Sequence, residues 1–114
     1  MKFDYNKEEI VIDGKYTVLG KKLVSKFDPT TLVKVVAERR GDEGDPTEHV
    51  VFYFEDGTRI CIFNSFTTGY RGEGPWGLHD ALVALGLPEE QAKDVFTKKR
   101  VHTFYFKTPP PIKH

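Results

Sequence analysis

Two Asp-Gly dipeptides, Asp13-Gly14 and Asp56-Gly57, each stand between runs rich in β-branched and aromatic residues. Asp-Gly readily supplies the positive-φ positions of a tight hairpin turn, so each pair predicts two adjacent antiparallel strands. The first hairpin joins Glu9–Ile12 to Lys15–Leu19. The second joins His49–Glu55 to Thr58–Phe63, with Val50, Phe52 and Phe54 on one face and Val51 and Tyr53 on the other. A polar connector, Lys21–Lys26, follows the first hairpin.

Leu32–Arg39 carries two opposing signals. Asp28-Pro29 can cap and start a helix. Thr30, Thr31, Val33, Val35 and Val36 are β-branched, and on their weight the segment is read as a strand. An acidic turn, Gly41–Thr47, comes next. Val101–Phe106 predicts a last strand.

Two helices are expected between the hairpins and that strand. In Pro75–Leu85, Leu78, Leu82 and Leu85 form one apolar stripe, Pro75 suits the first turn and Gly86 the stop. In Pro88–Lys99, Glu89 and Glu90 open the helix and Lys98 and Lys99 close it, as the helix dipole favours. The expected architecture is α+β: a mostly antiparallel sheet with two short helices near the C-terminus. Residues 1–107 form a single domain, and 108–114 a Pro-rich extended tail.

The segment richest in chemistry is Phe66–Leu78, where Gly69, Gly72, Gly74 and Gly77 fall close together. Gly72-Glu-Gly74-Pro-Trp-Gly77 formally spells G-x-G-x-x-G after a strand and into a helix. Glycines admit a ligand close to the backbone, and a helix start offers unpaired N–H groups and the positive dipole end. Arg71 can grip the same anion through two N–H groups, Tyr70 or Trp76 can stack on a base, and Thr67 and Thr68 can donate hydroxyl bonds. His79, in the first turns of the helix, and Arg100, closing the Lys98-Lys99-Arg100 run, complete the candidate ligand-binding set. The hairpins argue against a Rossmann domain, which needs parallel strands joined through helices. There is no Gly-Lys-Ser/Thr of a Walker A loop. The competing reading makes the glycines a tight structural turn with Trp76 in the core.

Lys plus Arg and Asp plus Glu both number 17, so the net charge is zero. That balance argues against coating extended nucleic acid, which needs a broad cationic excess. It does not discourage self-association, and the abundant strand aromatics (Tyr5, Tyr16, Phe52, Tyr53, Phe54, Phe104, Tyr105, Phe106) suggest a homo-oligomer face. Cys61 is the single cysteine. No disulfide, metal site or cofactor is expected, since His49, His102 and His114 lack ligand spacing. No apolar run reaches membrane-spanning length and no signal-peptide core opens the chain, so the expected location is the cytoplasm. Adjacent residues on a helix do not face each other, which argues against a His79–Asp80 dyad.

The functional expectation is a small non-catalytic protein that binds a phosphorylated or nucleotide-like ligand, sensing or sequestering a nucleotide signal. The alternatives are a protein–protein adaptor, or a phosphoester-acting enzyme using His79 or His102. The enzyme reading is the weaker, because no activated nucleophile accompanies them.

Overall fold

The computed structural model describes residues 9–40 and 47–107. Within them the strands are β1 (Ile10–Asp13), β2 (Leu32–Arg40), β3 (Thr47–Phe54), β4 (Arg59–Phe63) and β5 (Val101–Tyr105). The helices are α1 (Thr17–Val24), α2 (Glu73–Ala84) and α3 (Glu89–Ala92). Short 3-10 turns cover Pro29–Thr31 and Lys93–Phe96. Of the acidic turn expected over Gly41–Thr47, residues 41–46 lie outside the described residues, as do the tail at 108–114 and Tyr5, while Thr47 opens β3.

The second Asp-Gly signal closes a hairpin. Asp56 Oδ1 accepts from the Thr58 N–H at 2.8 Å, Gly57 sits at φ 91°, and the Phe54 N–H donates to the Thr58 carbonyl at 2.9 Å. β3 then pairs antiparallel with β4 on one side and β2 on the other, and β5 pairs antiparallel with β2. For residues 28–40, both signals are used. Asp28 caps the 3-10 turn by accepting from the Thr30 N–H and hydroxyl, and the β-branched run beyond it becomes β2. Those bonds hold the Asp28 carboxyl below its ordinary range.

The first Asp-Gly signal does not close a hairpin. Asp13 Oδ1 accepts from the Lys15 N–H, but the Gly14 N–H donates across to the Phe63 carbonyl at 2.8 Å. β1 is thereby tied to β4 in parallel, Ile10 opposite Ile60 and Ile12 opposite Ile62. Released from hairpin pairing, the chain turns at Lys15 (φ 65°) into α1, where a strand and a polar connector were expected. The sheet is therefore mixed, in the order β1-β4-β3-β2-β5, rather than mostly antiparallel. Its helices are not confined to the C-terminal half. The Pro88–Lys99 helix is also shorter than expected, decaying after Ala92 into the 3-10 turn.

One sheet face and the helices enclose the core. Val35, Ala37, Val50, Phe52, Ile62 and Phe104 point from the sheet against Leu78, Leu82 and Leu85 of the α2 stripe, with Phe66 and Val95 sealing the end. Each fully buried side chain of this size contributes about 1.5–3 kcal/mol. The strand aromatics are divided. Phe52 and Phe104 are core residues, Phe54 and Phe106 pack against it, and Tyr16 and Tyr105 are exposed.

α1 is a short helix with no side-chain cap, held by its neighbours rather than by propensity. The Thr17 hydroxyl donates to the Ser65 carbonyl at 2.6 Å. The Thr17 methyl lies where a Cβ on Gly77 would stand, so Gly77 is what lets α2 approach α1 so closely. Thr17 is β-branched and its hydroxyl is anchored, so the methyl cannot swing away without breaking that bond. Gly77→Ala is therefore expected to destabilise the fold by about 1–3 kcal/mol in denaturant unfolding. Adding Thr17→Ser, which keeps the hydroxyl and removes the methyl, should restore most of the loss. An unaltered stability in Gly77→Ala would show that the approach is not tight.

Candidate functional site

β2 and β3 run one same-face pair beyond the core. Ala37 opposite Val50 is the last apolar pair, and the next on that face is Arg39 opposite Glu48. The Arg39 N–H donates to the Arg100 carbonyl at 2.9 Å, fixing this end of β2 to the approach to β5. Above the pair lies the segment that leaves β4. The Gly69 N–H donates to the Val95 carbonyl at 2.8 Å, and Gly69 adopts φ 93°, a conformation that favours glycine. This bond draws Thr67–Tyr70 over the sheet end and leaves a cleft of about 320 Å³. Arg39, Glu48 and Lys98 line it together with Thr67, Thr68, Gly69 and Tyr70. That volume lies at the small end of the range for ligand sites, roughly 300–1,000 Å³.

Polar contacts brace the cleft. The Thr68 hydroxyl donates to Glu48 Oε1 at 2.9 Å. The Arg39 guanidinium donates to the Thr68 carbonyl at 3.2 Å, and its Nε lies 3.8 Å from the same Glu48 oxygen. The Glu48 side chain is only 3% exposed, and its other oxygen, Oε2, has no hydrogen-bond partner among the described residues. Lys98 has no carboxylate partner among the described residues. The Thr67 hydroxyl donates to the Tyr70 hydroxyl at 2.9 Å. A Cβ on Gly72 would press into the Tyr70 ring, so that glycine makes room for the ring, which stays 52% exposed.

The expected ligand set does not converge on one place. Thr67, Thr68, Gly69 and Tyr70 line the cleft. Arg71, Trp76 and His79 gather instead on Phe96. The Arg71 guanidinium stands 4.8 Å over that ring, Trp76 packs 4.6 Å from it, and His79 lies 5.1 Å from Trp76. Gly72 and Gly74 belong to the α2 start, where Gly74 is buried under the Thr67 hydroxyl. That start is a poor anion site. Pro75 has no N–H, the Trp76 N–H is already bonded to the Gly72 carbonyl, and Glu73 places a negative charge in the first turn. Arg100 contributes its carbonyl to Arg39.

Arg39 and Glu48, which line the cleft, belong to no sequence motif. Strand parity held the signal: each lies two residues beyond a core position, Ala37 and Val50, on the same face. Of the basic run, Lys98 reaches the cleft, while Lys99 pairs with Asp94 at 2.8 Å.

Two histidines are buried beside carboxylates. His79 Nδ1 lies 3.0 Å from Asp80 Oδ1, so these helix neighbours do meet, and its Nε2 stands 3.6 Å from Glu89. His102 Nδ1 lies 2.8 Å from Asp94 Oδ2. Burial by itself raises the Asp94 carboxyl, but hydrogen bonds and charge from Lys99 and His102 outweigh it and hold it below its ordinary range. Among the described residues no group of three or more metal-ligating side chains comes together, and no helix is long and apolar enough to cross a membrane. No protein-family model, curated protein or solved structure matches the chain.

A folded-state Asp94 value below that of the unfolded chain stabilises the fold above the ordinary carboxylate range, and that contribution is lost as pH falls through the lowered value. Asp94→Ala leaves the buried His102 without its partner, at a cost of about 1–3 kcal/mol. The variant should melt several degrees lower at pH 7, with the gap to the parent closing as the pH drops below 3.8. A gap independent of pH would rule out this ionic origin.

Proposed function

We propose that this protein is a small, non-catalytic binder of a phosphorylated, nucleotide-like ligand, acting to sense or sequester it. The observation that carries the reading is the convergence of Arg39 and Lys98 on one cleft beneath the Thr67–Tyr70 loop. Among the described residues, two cations against the single Glu48 carboxylate leave a net positive lining, which favours an anion. The exposed Tyr70 ring at the margin supplies a stacking surface for a flat base. The Thr67 and Thr68 hydroxyls already donate to Tyr70 and Glu48, which suits them to shaping the cleft rather than to attacking a substrate.

The anion lies on Lys98 in this reading, and Arg71, held on Phe96, stays outside it. A thermal-shift panel of inorganic phosphate, sugar phosphates and mono-, di- and cyclic nucleotides tests it. A ligand at 100 times its dissociation constant adds about 2.7 kcal/mol and moves the midpoint by several degrees. Lys98→Ala should weaken the responding ligand about tenfold or more, with Arg71→Ala nearly silent. A panel that moves nothing refutes the reading. A response that depends on Arg71 and not on Lys98 relocates the site to the Phe96 cluster.

A further inference from the structure

The cleft holds one group that an anion alone does not satisfy. Glu48 is the first residue of β3 on the core face, and its side chain is 3% exposed. A carboxylate offers about four acceptor positions on its two oxygens. Oε1 is engaged by the Thr68 hydroxyl at 2.9 Å and lies 3.8 Å from Arg39 Nε, while Oε2 has no partner among the described residues. An unpartnered buried carboxylate oxygen is costly, and such atoms are rare in folded proteins. A phosphate placed here meets the needs of Lys98 and Arg39 but leaves Oε2 as it was, and adds a repulsion to it.

Building on the anion-binding reading above, we infer that Glu48 is the specificity-determining residue of the cleft, accepting a pair of adjacent hydrogen-bond donors on a nucleotide whose phosphate lies toward Lys98. Nucleotides carry such a pair in two places. One is the N1–H and N2–H₂ edge of guanine, and the other is the 2′,3′-diol of ribose. Both match a carboxylate, which accepts from two neighbouring donors and donates to none. The Thr68 bond and the Arg39 charge hold Oε1 in place, so the carboxylate is oriented before a ligand arrives, and little ordering remains to oppose binding. Both bracing groups come from elements that shape the cleft in any case: Arg39 from the neighbouring strand, Thr68 from the loop.

Glu48→Gln is the informative change because it keeps the shape. The amide oxygen can still accept from Thr68, which places the amide NH₂ where Oε2 stood and turns an acceptor into a donor. Isothermal titration of the whole protein with GMP, IMP, 2′-deoxy-GMP and inorganic phosphate reads the result. IMP lacks the N2 amine, and 2′-deoxy-GMP lacks one hydroxyl of the diol. The expected outcome is that one of these two analogues binds the parent about ten- to hundredfold more weakly than GMP. Which analogue suffers identifies the donor pair. In Glu48→Gln that discrimination should collapse, with phosphate binding no weaker than in the parent.

The parent's own ligand order needs no variant, so a Glu48→Gln protein that fails to fold does not shield the inference. Three nucleotides binding within about twofold of one another overturn it while leaving the anion-binding reading intact. Discrimination that persists unchanged in a folded Glu48→Gln protein also overturns it. No binding of nucleotide or phosphate to the parent refutes the anion-binding reading and this inference with it.

Discussion

The short stretch Ser65–Phe66 is where the structure is locked together. Ser65 gives its carbonyl to Thr17, and its side chain fills the space left bare by Gly14 and Gly20. Phe66 is fully buried beneath the helices. β1, α1, β4 and α2 thus meet around two residues, and the chain leaves that junction directly into Thr67–Tyr70. The cleft inherits its geometry from this packing. Its loop starts at a fixed point in the core and ends at the start of α2, with the Gly69–Val95 bond in between. Rigid attachment at both ends is what allows so small a domain to present an ordered concave surface.

Most of the sheet was legible because its signals are local. Asp56-Gly57 sits between strands that pair with each other, and the β-branched run from Leu32 outweighs the helix start at Asp28-Pro29 once the 3-10 turn has used it. Asp13-Gly14 shows the limit of such reading. The dipeptide has the same chemistry as its counterpart, but the Gly14 N–H finds Phe63 across the sheet instead of the following strand. A parallel partner distant in sequence overrides the local preference, and neither periodicity nor turn chemistry carries news of it.

The site was legible in the same partial way. Thr67–Tyr70 stood out because glycine spacing is visible in one dimension. Arg39 and Glu48 did not, because their role depends on register: only when β2 and β3 align Ala37 with Val50 does the next same-face pair become two charges at the edge of the core. Arg71 and Trp76 stand apart from the cleft for a complementary reason. Their chemistry suits a ligand, but Phe96 offers the same cation–π and aromatic contacts from within the protein. A side chain fit to bind a base is equally fit to pack on a neighbour.

β1 also bears on the order in which the fold can assemble. Its partner strand lies about half the chain away, with β2 and β3 between them. Contacts of such separation form late, because the intervening loop must lose its freedom before they contribute. The β3–β4 hairpin and its neighbour β2 can pair first, from nearby residues. β1, although it precedes β4 in the chain, has nowhere to dock until β4 has emerged and paired. During translation its apolar residues Ile10 and Ile12 wait without their partners in β4, so a strand made before β2, β3 and β4 is placed after them.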